Sequence, residues 1–298
     1  MHETQMNRDA HVLERDVARY LATGESDPLA RAFPGDHALE RMTGYERHLR
    51  AELIAEVRRR ERGRRQAKAP ADFNSPSWTR GKVEPMINGL FPASERQVVL
   101  QTAECSIVFL TCEGAHQIIR EIPYLESAWT IANMYLNSLG APMLGTGAMQ
   151  IVGLSLERKC YVSTEYFTEK DPFADYITHE VAHIFHNCKR ETLGLPHTLS
   201  KEWLLDIAYA KRETFAYACE TYGRIVEQAQ GTAGRRALLT QYARSPKPSA
   251  ETVDTAELLD ILTEAVEARN GWKRILARCA SSNPPVPRWA STRPSWPA

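Results

Sequence analysis

Apolar residues recur at helical spacing through much of the chain. Val12, Leu13, Val17 and Leu21 share one face of a first segment, and Leu49, Leu53, Ile54 and Val57 share a face of a second. Residues 1–68 therefore read as helical, with loops at 24–28 and 33–36. Pro70, Pro76 and Gly81 break the pattern across 69–82 and mark a boundary. Segments 98–100 and 106–111 have the β-branched and apolar content of strands, 122–139 is helix-like, and 140–153, with four glycines, is a loop. Segment 159–168 (KCYVSTEYFT) reads as a strand. Two strong helices follow, 172–187 and about 201–228. A final helix over about 252–280 presents Leu258, Leu259, Leu262, Val266 and Ile275. The Pro- and Ser-rich tail SSNPPVPRWASTRPSWPA has the composition of a disordered segment.

The totals are those of an ordinary globular protein: 298 residues, 43 % apolar and 25 % charged. Lys plus Arg and Asp plus Glu are 37 each, so the chain as a whole exerts no long-range pull on nucleic acid or membranes. No run of about 18 apolar residues occurs, and the first residues lack the pattern of a secretory leader. The cysteines at 105, 112, 160, 188, 219 and 279 form no CxxC pair, which predicts reduced thiols, mostly small buried apolar residues, in a cytoplasmic protein. One basic run, Arg58 to Lys68 (RRRERGRRQAK), stands out. A solvated helix end and linker is the favoured reading, and a nucleic-acid or acidic partner the sharper alternative.

The chemistry is concentrated in His179-Glu180-Val181-Ala182-His183, an HExxH motif. Residues four apart on a helix stack on one face, so both imidazoles can reach one metal ion. Zinc suits such a site because neutral imidazole binds it and three protein ligands leave a position open for water. Glu180 is rotated off the ligand face and can take a proton from that water. The surroundings are those of a buried, well-delimited helix: Ile177, Val181, Ala182, Ile184 and Phe185 are apolar, Asp171-Pro172 supplies an N-terminal signal, and Asn187 can end it.

Glu213 follows His183 by thirty residues, in an ExxA context with Ala216 one turn on. HExxH completed by a Glu from a following helix resembles the gluzincin metallopeptidases, across about residues 158–225. That resemblance implies His179, His183 and Glu213 as zinc ligands, with Glu180 as general base. The spacing is more weakly similar to that of ImmA-like peptidases. His186 continues the histidine stripe but falls too far along a straight helix, and reads as a supporting or helix-end residue. His197 would give a three-histidine site as in SprT-like proteases, without that family's flanking pattern. Asp206, Glu213, Tyr217 and Glu220 fall on one helical face; Glu220 is a candidate to orient a ligand histidine, and Tyr217 to donate to an oxyanion.

The expected fold is α+β: a zincin-like core, with the 159–168 strand at the edge of a small sheet, packed on the HExxH helix and the Glu213 helix. A helical N-terminal region (1–75), the core (76–245) and a C-terminal helix with its tail (246–298) make up the chain. The expected function is a zinc endopeptidase of narrow specificity acting on an extended polypeptide laid along the edge strand. The rivals are a regulatory or sensor protein built on the same core, and a nucleic-acid-associated protease recruited through Arg58 to Lys68.

Overall fold

Two compact units divide the chain in a computed structural model that describes residues 2–31, 33–71, 73–198 and 201–281. The fold is α+β and mostly helical, with one small mixed sheet. The Pro- and Ser-rich tail expected from composition lies outside the described residues, apart from its first position. All six cysteines are free; Cys160, Cys188, Cys219 and Cys279 are buried, whereas Cys105 and Cys112 are exposed. Among the described residues no helix is long and apolar enough to cross a membrane.

The first unit takes in residues 1–71, 109–154 and 161–168. Its helices are α1 (His2–Thr23), α2 (Ala38–Glu61), α5 (Ala115–Glu121) and α6 (Leu125–Ser138). The apolar stripe read from the sequence on α2 is buried at Leu49, Leu53, Ile54 and Val57. Long polar side chains tie the helices to backbone carbonyls: Tyr20 donates to Leu125 O at 2.8 Å, and Arg50 to Ile119 O at 2.8 Å and Pro123 O at 3.0 Å. Much of the basic run is tied down here. Arg59 and Arg60 pair with Glu56, Arg60 also reaches the carbonyls of Pro142 and Met143, and Arg64 that of Gly140.

The second unit takes in 72–108, 155–160 and 169–298. It holds α3 (Ser75–Leu90), α4 (Ala93–Ser106), α7 (Tyr176–Asn187), α8 (Arg212–Gln228), α9 (Gly231–Arg244), α10 (Thr255–Glu267) and α11 (Gly271–Cys279). Side-chain caps start several of these: Asn74 for α3, Asp254 for α10 and Asn270 for α11. Helices α7 and α8 pack through Ile177, Val181, Ala182, Phe185, Phe215, Ala216 and Cys219, all fully buried. The alanines let the backbones approach. Gly89 serves the same end on α3, since a Cβ there would come within 2.2 Å of the Trp272 ring.

The sheet consists of β1 (Ile107–Leu110), β2 (Gly153–Leu156) and β3 (Lys159–Ser163), in the order β1-β3-β2. A two-residue turn at Glu157-Arg158 links β2 to β3, with Glu157 at φ 51°.

Several expectations need correcting. Residues 98–100 belong to α4, where Val99, Leu100 and Ala103 form a buried helical face; three apolar residues are too few to separate the two periods. The 159–168 segment is a strand only to Ser163 and then a 3-10 turn, and its strand is central rather than at the edge. The HExxH helix begins at Tyr176, not Pro172, because Asp175 caps it, while Asp171 closes a local turn onto Phe173 N. The helix expected from 201 begins at Arg212; Trp203 and Ile207 ahead of it bridge to Lys189 and Ala280. The last helix is two, restarted by Asn270, and α9, with Gly231 and Gly234 weakening its helical signal, was not anticipated.

One buried ion pair fixes the segment after α7. Arg190 is 1 % exposed; it donates to Glu95 Oε1 at 2.6 Å, to Glu95 Oε2 at 3.2 Å and to Pro196 O at 2.6 Å. Glu95→Ala strands this guanidinium and is expected to cost about 3 kcal/mol in urea unfolding at pH 7. The hydrogen bond to Arg190, opposed in part by burial, holds the Glu95 carboxyl below its ordinary value. The stabilisation is therefore present above the unfolded glutamate pKa of about 4.3 and is lost as pH falls through the lower folded value, where the variant and wild type should converge.

Candidate metal centre

Helix α7 presents His179 and His183 one turn apart, and its cap sets where that face begins. The Asp175 carboxylate accepts from Thr178 N at 3.1 Å and lies 3.3 Å from Lys82 Nζ. Burial raises the Asp175 pKa, and Lys82 works against this. The imidazole Nε2 atoms of His179 and His183 are 3.2 Å apart. Glu213, in the first turn of α8, where the helix dipole favours a carboxylate, places Oε2 3.7 Å from His179 Nε2 and Oε1 3.6 Å from His183 Nε2. These three side chains form a group that could hold a metal ion, and Glu213, 45 % exposed, leaves it open to solvent on one side.

The far nitrogen of each histidine is engaged. Glu220, two turns after Glu213 and buried, takes His179 Nδ1 at 3.0 Å on one oxygen and the backbone N–H of Asp175 at 2.7 Å on the other. A single carboxylate thus orients the ring and anchors the start of the helix that carries it. On His183, Nδ1 meets His186 Nε2 at 3.1 Å, and His186 Nδ1 meets Asn187 Oδ1, also at 3.1 Å. With the Asn187 oxygen as acceptor, His186 donates from Nδ1 and accepts at Nε2, so His183 donates from Nδ1 and its Nε2 lone pair faces the group. Both relays therefore direct Nε2 electron density at one point.

The two rings differ in their preference for a proton. Burial, the largest influence on His179, disfavours its charged form, but the Glu220 hydrogen bond and the charges of Glu220, Glu180 and Glu213 outweigh it and hold the ring at about 9. Burial and the neighbouring rings push His183 well down. A proton between the two Nε2 atoms thus competes with a metal ion for the same place.

Glu180 is 6 % exposed, and Ser155 Oγ of β2 donates to its Oε2 at 2.6 Å. Burial raises its pKa, with His179 and the Ser155 hydrogen bond opposing, which makes it a stronger proton acceptor than a free glutamate. The Tyr217 ring meets His179 edge to face at 4.5 Å, and burial pushes its phenol up to about 12, so it stays a donor through neutral pH.

The structure thus brings together His179, Glu180, His183, Glu213, Tyr217 and Glu220. His197 is exposed, 3.8 Å from Glu191, and outside the group. Asp206 precedes α8 and does not share its face. Ser155, Asp175 and Lys82 were not anticipated. No local sequence signal marked Ser155, whereas an Asp three residues before a helical Thr could have located the cap. No protein-family model, curated protein or solved structure matches the chain, so any functional reading rests on the site itself.

Glu220→Gln keeps the shape but turns an amide NH2 toward either His179 Nδ1 or Asp175 N–H. Metal affinity in a competition titration should fall about 10- to 100-fold. An unchanged affinity would mean that Glu220 only packs.

Proposed function

We propose that the chain is a zinc-dependent endopeptidase in which His179, His183 and Glu213 hold the metal and Glu180 is the general base. The observation that carries this reading is the spacing of the three ligand atoms. Imidazole nitrogens at about 2.0–2.1 Å from a tetrahedral zinc lie about 3.3 Å apart, against 3.2 Å between the two Nε2 atoms and 3.6 and 3.7 Å to Glu213. The donor set, two neutral imidazoles and one carboxylate with an open side, is one that zinc accepts in hydrolytic sites. Zinc held there would supply a Lewis acid that polarises a carbonyl and lowers the pKa of water to about 7.

The chain's own groups would do the rest. Glu180, held by Ser155, takes the proton of the attacking water and passes it to the leaving amine nitrogen. Tyr217 donates its phenolic hydrogen to the oxyanion that develops on the scissile carbonyl. Ser155 lies on β2, an edge of the sheet, so a substrate strand added to β2 would run beside the base. An extended polypeptide is therefore the proposed substrate, and β2 takes over the edge role first expected of the 159–168 strand. The test compares wild type with Glu180→Gln on extended polypeptides: cleavage by the first alone is expected, and equal rates would overturn the reading.

A further inference from the structure

The basic run of the sequence has one member that the fold leaves without an acidic partner in a cavity. Arg58 lies on the stripe of α2 that also carries Thr43, Arg47, Arg50, Ala51 and Ile54, spaced three and four residues apart. With Arg120, from the last turn of α5, these residues line a cavity of about 500 Å³ within the first unit. Four guanidiniums meet one lining carboxylate, Glu46. In a chain with no net charge, this is a local excess of three positive charges.

The arginines differ in how they are held. Arg50 is 8 % exposed, fixed by the carbonyls of Ile119 and Pro123. Its charge is neutralised by no acidic side chain within 4.0 Å among the described residues, and the same holds for Arg47, Arg58 and Arg120, all three exposed. By contrast, neighbouring Arg59 and Arg60 are paired with Glu56. A buried cation with three more at the rim of one concavity makes a local positive potential that attracts an anion.

We propose that this cavity binds a small ligand bearing several phosphate groups. Guanidiniums offer the forked donors that phosphate oxygens accept in pairs, and a compact polyphosphate group carries enough charge to meet several of them at once. The cavity favours a small ligand over a nucleic-acid strand because its four guanidiniums share one concavity of about 500 Å³, and Arg62, Arg64, Arg65 and Lys68 further along the run are not among its lining residues.

The experiment is calorimetric titration of the full chain with tripolyphosphate, at two salt concentrations. Saturable binding is expected, weaker at the higher salt. Arg47→Gln and Arg58→Gln should each weaken it about 10-fold, and the double variant about 100-fold, with thermal midpoints unchanged because neither side chain has an acidic partner to lose. Arg59→Gln, which removes an equal charge from the same helix but from a Glu56 pair, should change it less than about 2-fold. No saturable binding, or equal losses from Arg59→Gln and Arg58→Gln, would overturn the site. A single-stranded oligonucleotide that displaces tripolyphosphate at lower phosphate concentration would overturn the choice of a small ligand.

Discussion

Glu180→Gln is expected to lower peptide cleavage by about 10²- to 10⁴-fold, the range a positioned general base supplies, while the zinc content stays at the wild-type level. The amide keeps the shape of the side chain and can still accept from Ser155, which donates to Glu180 Oε2 at 2.6 Å. It cannot take a proton from water. Because the group that could hold a metal ion, His179, His183 and Glu213, does not include Glu180, metal retention and catalysis are expected to separate in this variant. Glu180 is buried, and replacing a carboxylate raised by burial with a neutral amide removes a desolvation cost, so the variant should unfold no more readily than wild type. The same variant should hold the proposed polypeptide substrate without turning it over, which makes it the bait for identifying one. Loss of zinc from Glu180→Gln would assign Glu180 to the metal and leave the reaction without its base.

Glu213→Ala is expected to weaken zinc binding by more than about 100-fold, exceeding the loss from removing a residue that only orients a ligand. His197→Ala should leave affinity within roughly 2-fold, since that ring sits exposed beside Glu191. His186→Ala should fall between, because it removes the acceptor that directs His183 Nδ1 and leaves the ligand nitrogen in place. A titration in which His197→Ala loses the metal and Glu213→Ala keeps it would reverse the assignment of the third ligand.

What the sequence disclosed about the site follows from how local each feature is. His179 and His183 are coupled by helical spacing alone, so their convergence could be read from five residues. Glu213, Tyr217 and Glu220 share a face of α8 at spacings of four and three, and that face could be read once the helix was recognised. Asp206 falls on that face only if the helix begins near 201, eleven residues before its start at Arg212; the 201–211 stretch is held by bridges to distant segments that no local pattern announces. Ser155 meets Glu180 across 25 residues, and Arg190 meets Glu95 across 95. A serine in a short strand and an arginine in a polar run look alike whether they face solvent or a buried partner. The order of the strands was hidden for a related reason, because the central position of β3 depends on pairings with β1 and β2 together. The resemblance to gluzincins read in the sequence rests on the HExxH motif and on Glu213 alone.

The central claim is that His179, His183 and Glu213 hold a zinc ion. Elemental analysis of the purified full chain, alongside the His179→Ala, His183→Ala double variant, tests it most directly. About one zinc per wild-type chain and none in the double variant is the predicted result; equal zinc in both, or no zinc bound by wild type after incubation with the metal and desalting, would contradict it.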